Sequence, residues 1–455
     1  MIIARRILFF IFLVLYLALC PLLILYSFGY IFNPVKQEMD RTGLIYLSSM
    51  PEGADIYLGR SRYKQKTPAG IEALTPGNYK ITLRLKGRKP WSRSVYVDSG
   101  KAISFKNILL IPKTFPVKNI LAGPFVKLTA GHEADYLLIA GSADLDSYLV
   151  YDCRRGEAAP LLPEDSLFSG MPVVSIFTEE SSPVFVIYGG SLWNRRYLYV
   201  NLAETPAEIV DISALISERP VDIVWNDSDR YRIFALYRDS LDIVNVRTGA
   251  LFPGYIEGIK GCGISHKWLY ILDEKNNVLR QAYDKDREEL VYSWRWDSGE
   301  VFKMSGFYRI RALENGAILF LGQRGRLLIN KPPYSLVERG VIGLEFYKKN
   351  QDILLYWTKN SIGILDFSQG LAQRVVNDSG TNITDCFFVN EGRYALFNDN
   401  NVLRLIEVFP GGTDDAEQVV EIKNNTSFFY SEDTGKAYYI DPRDSGLKSV
   451  TIVPR

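Results

Sequence analysis

From about residue 136 onward the chain repeats one pattern: a short apolar run, a polar break, and a second apolar run. The first runs are Tyr136–Ala140, Val184–Tyr188, Arg232–Tyr237, Trp268–Leu272, Ala317–Leu321, Ile353–Trp357, Tyr394–Phe397 and Ala437–Ile440. Their partners are Tyr148–Asp152, Tyr197–Leu202, Leu241–Val246, Val278–Tyr283, Leu327–Asn330, Ile362–Phe367, Val402–Glu407 and Leu447–Ile452. Short runs rich in Val, Ile, Tyr and Phe predict strands, and each pair predicts a hairpin. The hairpins recur about every 43 residues, the length of one four-stranded blade, which predicts a β-propeller of eight blades with seven as the alternative.

Turn chemistry supports the series. Asp152-Cys153-Arg154-Arg155-Gly156, Asn245-Val246-Arg247-Thr248-Gly249 and Asp366-Phe367-Ser368-Gln369-Gly370 each place an Asx residue four positions before a glycine. The Asx side chain caps the turn and the glycine takes positive φ, so these predict the turns between third and fourth strands of blades one, three and six. The last blade shows only three strands, near Ser427–Tyr430, Lys436–Ile440 and Leu447–Ile452. A ring leaves no open edge, so the missing outer strand is expected from about Phe115 to Leu121.

The N-terminus reads differently. Arg5 and Arg6 precede an uncharged stretch from Ile7 to Phe32. A bilayer core takes about 20 apolar residues in a helix, so this stretch predicts a single transmembrane helix with its N-terminus in the cytoplasm and the bulk of the chain outside. Leu17-Ala18-Leu19-Cys20 is a loose lipobox, but Leu19 is large for its position, Pro21 follows, and the apolar run continues, which favours an uncleaved anchor.

Between anchor and propeller, period-two alternation marks further strands: Ile45 and Leu47, Ile56 and Leu58, Ile81, Leu83 and Leu85, then Val95 and Val97. Pro51-Glu52-Gly53 and Pro76-Gly77 punctuate them as turns, which predicts a small sandwich with Trp91 as a lid on its core. The segment carries Thr42-Gly43, Pro51-Glu52-Gly53-Ala54, Gly59, Thr67-Pro68, Leu74-Thr75-Pro76-Gly77, Tyr79 and Trp91. In these residues it resembles the PEGA family of bacterial extracytoplasmic β-domains. The resemblance implies a surface-associated accessory domain without catalysis of its own; Arg88 stands where that family usually has an aromatic residue.

The expected organisation is therefore mainly β: cytoplasmic residues 1–6, a transmembrane helix over 7–32, a linker over 33–42, a PEGA-like β-sandwich over 43–112 and the propeller over 113–455. Composition adds exclusions. The chain has 53 basic and 52 acidic residues, so no global field draws it to nucleic acid. It has only two histidines, His132 and His266, which argues against a histidine-built metal or catalytic centre. Cys153, Cys262 and Cys386 lack disulfide or metal spacing and read as buried thiols.

The motif search predicts no catalytic residue, no metal site and no cofactor. Ser431-Glu432-Asp433-Thr434-Gly435 resembles one copy of an Asp-box and reads as a hairpin turn, and Asp144, Asp146 and Asn398–Asn400 read as polar hairpin tips rather than calcium ligands. The expected function is a membrane-anchored binding or scaffold protein of the bacterial envelope with a protein or glycan partner. The alternative is a propeller enzyme acting on envelope carbohydrate or peptide, for which the inner strands offer only scattered acids. Candidate binding residues are Trp193, Arg195, Arg196 and Trp296, in loops expected on one propeller face, because Trp and Arg dominate binding hot spots.

Overall fold

The computed structural model describes residues 2–27, 29–33, 38–130, 136–163, 166–178, 183–191, 194–204, 206–226, 229–265, 268–282, 288–293, 307–313, 316–330, 336–347, 352–367, 371–377, 380–408 and 416–454. The chain divides into two compact units, Met1–Phe115 and Pro116–Val453.

The first unit opens on a helix, Ile2–Ser27, whose stretch Leu8–Leu25 is long and apolar enough to cross a membrane. The helix ends sooner than the apolar run does. Gly29 takes φ 79°, its carbonyl accepts the Thr42 N–H at 2.8 Å, and Tyr30–Asn33 turns into a strand paired with Glu38–Arg41. Tyr30–Phe32, expected at the end of the helix, and 38–41, expected in a linker, are thus a two-stranded hairpin. β-Branched and aromatic residues followed by Pro34 suit that extended backbone.

Two sheets then face each other. One is three-stranded, with Gly43–Met50 between Ala69–Leu74 and Ala102–Leu109; the other is four-stranded, built from Asp55–Leu58, Ser61–Lys66, Gly77–Arg84 and Trp91–Val97. The alternating positions meet between them, so Ile45, Leu47, Ile56, Ile81, Leu83 and Val97 are fully buried. Trp91 packs half-buried against this core, edge-on to Phe105 at 5.6 Å between ring centroids. The lid reading of Trp91 holds.

The second unit is a β-propeller. Among the described residues it comprises six four-stranded sheets and one eight-stranded sheet that is itself two four-stranded meanders, numbered here as blades 1 to 8 in the chain order of their inner strands. Their innermost strands are Lys127–Ala130, Val173–Thr178, Asp222–Trp225, Ile259–Ser265, Tyr308–Ala312, Val341–Phe346, Ile383–Val389 and Phe429–Ser431 for blades 1 to 8. Cores form between consecutive blades. Val184, Val186 and Tyr188 pack with Ile223, Ile233 and Ala235 of blade 3, while the intervening Phe185 and Ile187 pack with Leu138 and Ala140 of blade 1. Both faces of each second strand are covered, which is why these strands are continuously apolar in sequence.

The expected turns and closure are present. Asp152 Oδ1 accepts the N–H groups of Arg154 and Arg155, Asn245 Oδ1 accepts that of Thr248, and Gly156 and Gly249 take φ of 75° and 68°. Gly370 of the third turn lies outside the described residues. Val117–Leu121 supplies the outer strand of blade 8, antiparallel to Leu447–Thr451 in the register Val117↔Val450. The Asp-box-like turn also serves closure, because Asp433 pairs with Arg154 of blade 1 at 2.6 Å.

Candidate functional site

All eight inner strands run in the same direction, so each begins on one face of the ring, together with the loops from second to third strands and the links between blades. We call this the mouth face. At that end the inner strands share an irregularity. Val174, Lys260 and Ile342 are each an extra residue between consecutive ladder pairs, and blade 7 has the same shift between Ile383 and Cys386. In blades 1 and 3 the N–H groups of Val126 and Val221 donate to the carbonyls of Ala140 and Leu236, which already face Lys127 and Asp222. Six blades thus place two inner-strand residues opposite one, which is a β-bulge, a device that re-aims a side chain at a rim.

The re-aimed side chains are exposed. Val126 is 45%, Val174 54%, Val221 37% and Ile342 48% accessible, and Leu167, in the link from blade 1 to blade 2, is 97% accessible. Aliphatic side chains at the strand starts of three consecutive blades form an apolar arc that the fold itself does not cover. Exposed aliphatic side chains grouped at one rim make that rim a candidate interaction surface.

Charge lies on the other side of the mouth. Lys260 of blade 4 donates to the Glu274 carbonyl, and the Arg309 side chain of blade 5 is 65% accessible. Arg309 Nη2 bonds Asp222 Oδ1 of blade 3 at 2.6 Å, with a second contact from Nε to Oδ2. Between them the inner strands of blades 4 and 5 pair in parallel, Gly261↔Tyr308 and Cys262↔Arg309. A Cβ on Gly261 or Gly263 would overlap the Tyr308 or Ile310 carbonyl, so this seam requires glycine at both positions.

The candidate residues from the sequence fall out unevenly. Trp193 and Trp296 lie outside the described residues. Arg195 and Arg196 open the third strand of blade 2, opposite Gly190 and Gly189 at the mouth end, and Arg195 is exposed. Arg196 is engaged within its own blade: its Nη1 pairs with Asp211 Oδ2 at 2.6 Å. Burial alone would raise the Asp211 carboxyl, but the Ser213 hydroxyl and N–H and the Arg196 guanidinium outweigh it and hold the group below the usual carboxylate range. Nearby, Tyr188 and Tyr197 stack at 4.8 Å, and the Arg219 guanidinium lies over Tyr188 at 5.4 Å. Burial pushes the Tyr197 hydroxyl up to about 12.

The inner strands of blades 6 and 7 carry two carboxylates, Glu345 and Asp385. Glu345 accepts the Phe388 N–H at 2.7 Å and so ties the blades together. Asp385 accepts the Thr384 hydroxyl at 2.9 Å, and burial raises its carboxyl. Among the described residues, no group of three or more His, Cys, Asp or Glu could hold a metal ion. Asp146 clamps a loop instead, accepting the Gly170 N–H at 2.6 Å and the Ser169 hydroxyl at 3.0 Å. Cys153, Cys262 and Cys386 are buried.

Residues 42–110 match the PEGA domain family. The match falls on the sandwich of the first unit and so agrees with the resemblance in the sequence. No curated protein matches the chain. Among solved structures, the chain is similar to the C-terminal WD40 domain of Sif2, at 12% identity and TM-score 0.49, over 75% of this chain and 99% of that one. It is also similar to the computationally designed Ika8 protein, at 12% identity and TM-score 0.43, over 74% of this chain and 98% of that one. A third is PorZ, a bacterial surface component of the type-IX secretion system of Porphyromonas gingivalis, at 15% identity and TM-score 0.38, over 71% of this chain and 42% of that one. The propeller is defined by the chain's own meanders and ring closure.

Proposed function

We propose that this chain is a single-pass, membrane-anchored binding or scaffold protein of the bacterial cell envelope, whose propeller is a platform for a protein or glycan partner. The N-terminal helix would cross the cytoplasmic membrane with Arg5 and Arg6 inside, which sets the PEGA domain and propeller outside. The observation that carries the platform reading is the exposed aliphatic arc of Val126, Val174 and Val221 at the mouth. Uncovered aliphatic side chains at a rim are stabilised by a partner that buries them. Arg195, with Trp193, Arg196 and Trp296 from the same set of loops, would contribute to that face.

Crosslinking in intact cells followed by capture of the full chain tests this reading. A reproducible partner that is lost with the double substitution Trp193→Ala and Arg195→Ala, at an unchanged melting temperature, supports it. Undiminished capture by that variant would move the site to another surface, and no reproducible partner at all would remove the platform reading.

A further inference from the structure

The mouth face carries a run of exposed aliphatic side chains and a local excess of cations, and the two together describe what it receives. Blades 1 to 3 present Val126, Val174 and Val221, with Leu167 beside them. Blades 4 and 5 present Lys260 and Arg309 on their inner strands, and blade 6 presents Ile342 there. On the loops of the same arc stand Arg324 and Arg326 between second and third strands of blade 5, Arg339 between blades 5 and 6, and Lys359 at the corresponding turn of blade 6. Among the described residues the acids on this arc are Asp273, Glu274 and Glu338; Asp273 accepts the Asn277 N–H at 2.7 Å, and a Glu338 oxygen accepts the backbone N–H of Arg339 at 3.0 Å. The overall charge is nearly balanced, so this excess of cations is local.

Resting on the platform reading, we propose that the mouth binds an extended segment of a partner protein that is aliphatic at one end and acidic at the other. The aliphatic side chains would lie on the arc of blades 1 to 3, and the carboxylates would lie against the guanidinium groups of blades 5 and 6. Area burial supplies affinity at the first, and charge complementarity fixes direction and accelerates association at the second. Arg324, Arg339 and Lys359 are exposed, so their attraction is long-ranged and sensitive to salt. The Asp222 contact holds Arg309 in place at the boundary between the two halves.

The test pans a displayed library of random peptides against the full chain in detergent and then measures the enriched peptides one by one. The expected winners carry aliphatic and acidic blocks, and Val174→Ser with Val221→Ser should weaken them by about tenfold or more, as for central anchors in a hot spot. Arg324→Gln with Arg339→Gln and Lys359→Gln should weaken them too and flatten the salt dependence that the wild type shows. Both variants change exposed residues, and a melting temperature equal to wild type confirms that each is folded. Winners that are basic or uncharged, or winners that neither variant weakens, would overturn the proposal. Displacement of the winners by an anionic envelope polysaccharide that itself binds would overturn it in favour of a glycan. If crosslinking still captures a partner in that event, the platform reading survives without this specificity.

Discussion

Arg309 on the inner strand of blade 5 reaches past blade 4 and meets Asp222 of blade 3 with two of its nitrogens. The arginine side chain is 65% accessible while that of the aspartate is 9% accessible, so water screens one partner more than the other. Arg309→Met strips a nearly buried carboxylate of its guanidinium, and we expect a loss of about 2 kcal/mol, below the range for a fully buried pair. Adding Asp222→Asn to Arg309→Met should restore part of that loss. A double variant less stable than Arg309→Met by denaturant titration would show that the pair does not hold the three blades together.

Closure of the ring predicts a step in stability between two N-terminal truncations. A chain starting at Lys113 keeps the outer strand Val117–Leu121, and one starting at Pro124 loses it and bares the edge of Leu447–Thr451. The shorter chain should melt well below the longer one. Coincident melting curves would mean that the pairing contributes little.

Trp91 predicts a local effect. Its ring lies half-buried on the sandwich core, against Phe105 and with the Arg93 guanidinium 5.4 Å from its centroid. Trp91→Ala should cost about 1–3 kcal/mol, less than a fully buried indole, and lower only the unfolding transition of the PEGA domain. A shifted propeller transition, or an unchanged sandwich transition, would contradict this placement.

The Asp211 carboxyl gives a pH prediction. Its folded pKa is depressed, so its contribution to stability is fully present above the unfolded value near 3.8 and is lost as pH falls through the folded value. The melting-temperature gap between wild type and Asp211→Asn should be constant from neutral pH down to about 5 and then shrink toward pH 2. A gap that persists at pH 2 would assign the effect to shape rather than charge.

Topology predicts a protease pattern. With Arg5 and Arg6 retained inside, protease added to intact spheroplasts should digest everything beyond the helix. A fully protected chain would place the propeller in the cytoplasm.

Strand positions were legible because both faces of each blade are buried. Tyr136–Ala140, Tyr148–Asp152 and Val402–Glu407 have the limits their apolar runs suggest. The closing strand followed from counting strands in the last blade. The mouth was not legible: Val174 and Ile342 look like core residues in sequence, and only the bulge that shifts their register exposes them. The contact of Arg309 with Asp222 joins residues 87 positions apart, which no local pattern reports. The helix end was misplaced because the apolar run continues into Tyr30–Phe32, and hydrophobicity alone does not distinguish a spanning turn from a strand.

The closing strand also gives the molecule a mechanical character. Val117–Leu121 is at once the latch of the ring and the first propeller segment after the PEGA domain. Tension applied to the chain upstream, while a partner holds the mouth, loads this five-residue ladder before any other part of the propeller. Blades 1 to 7 take all four strands from residues 127 to 421 and do not share that load. The ring would therefore yield first at its latch.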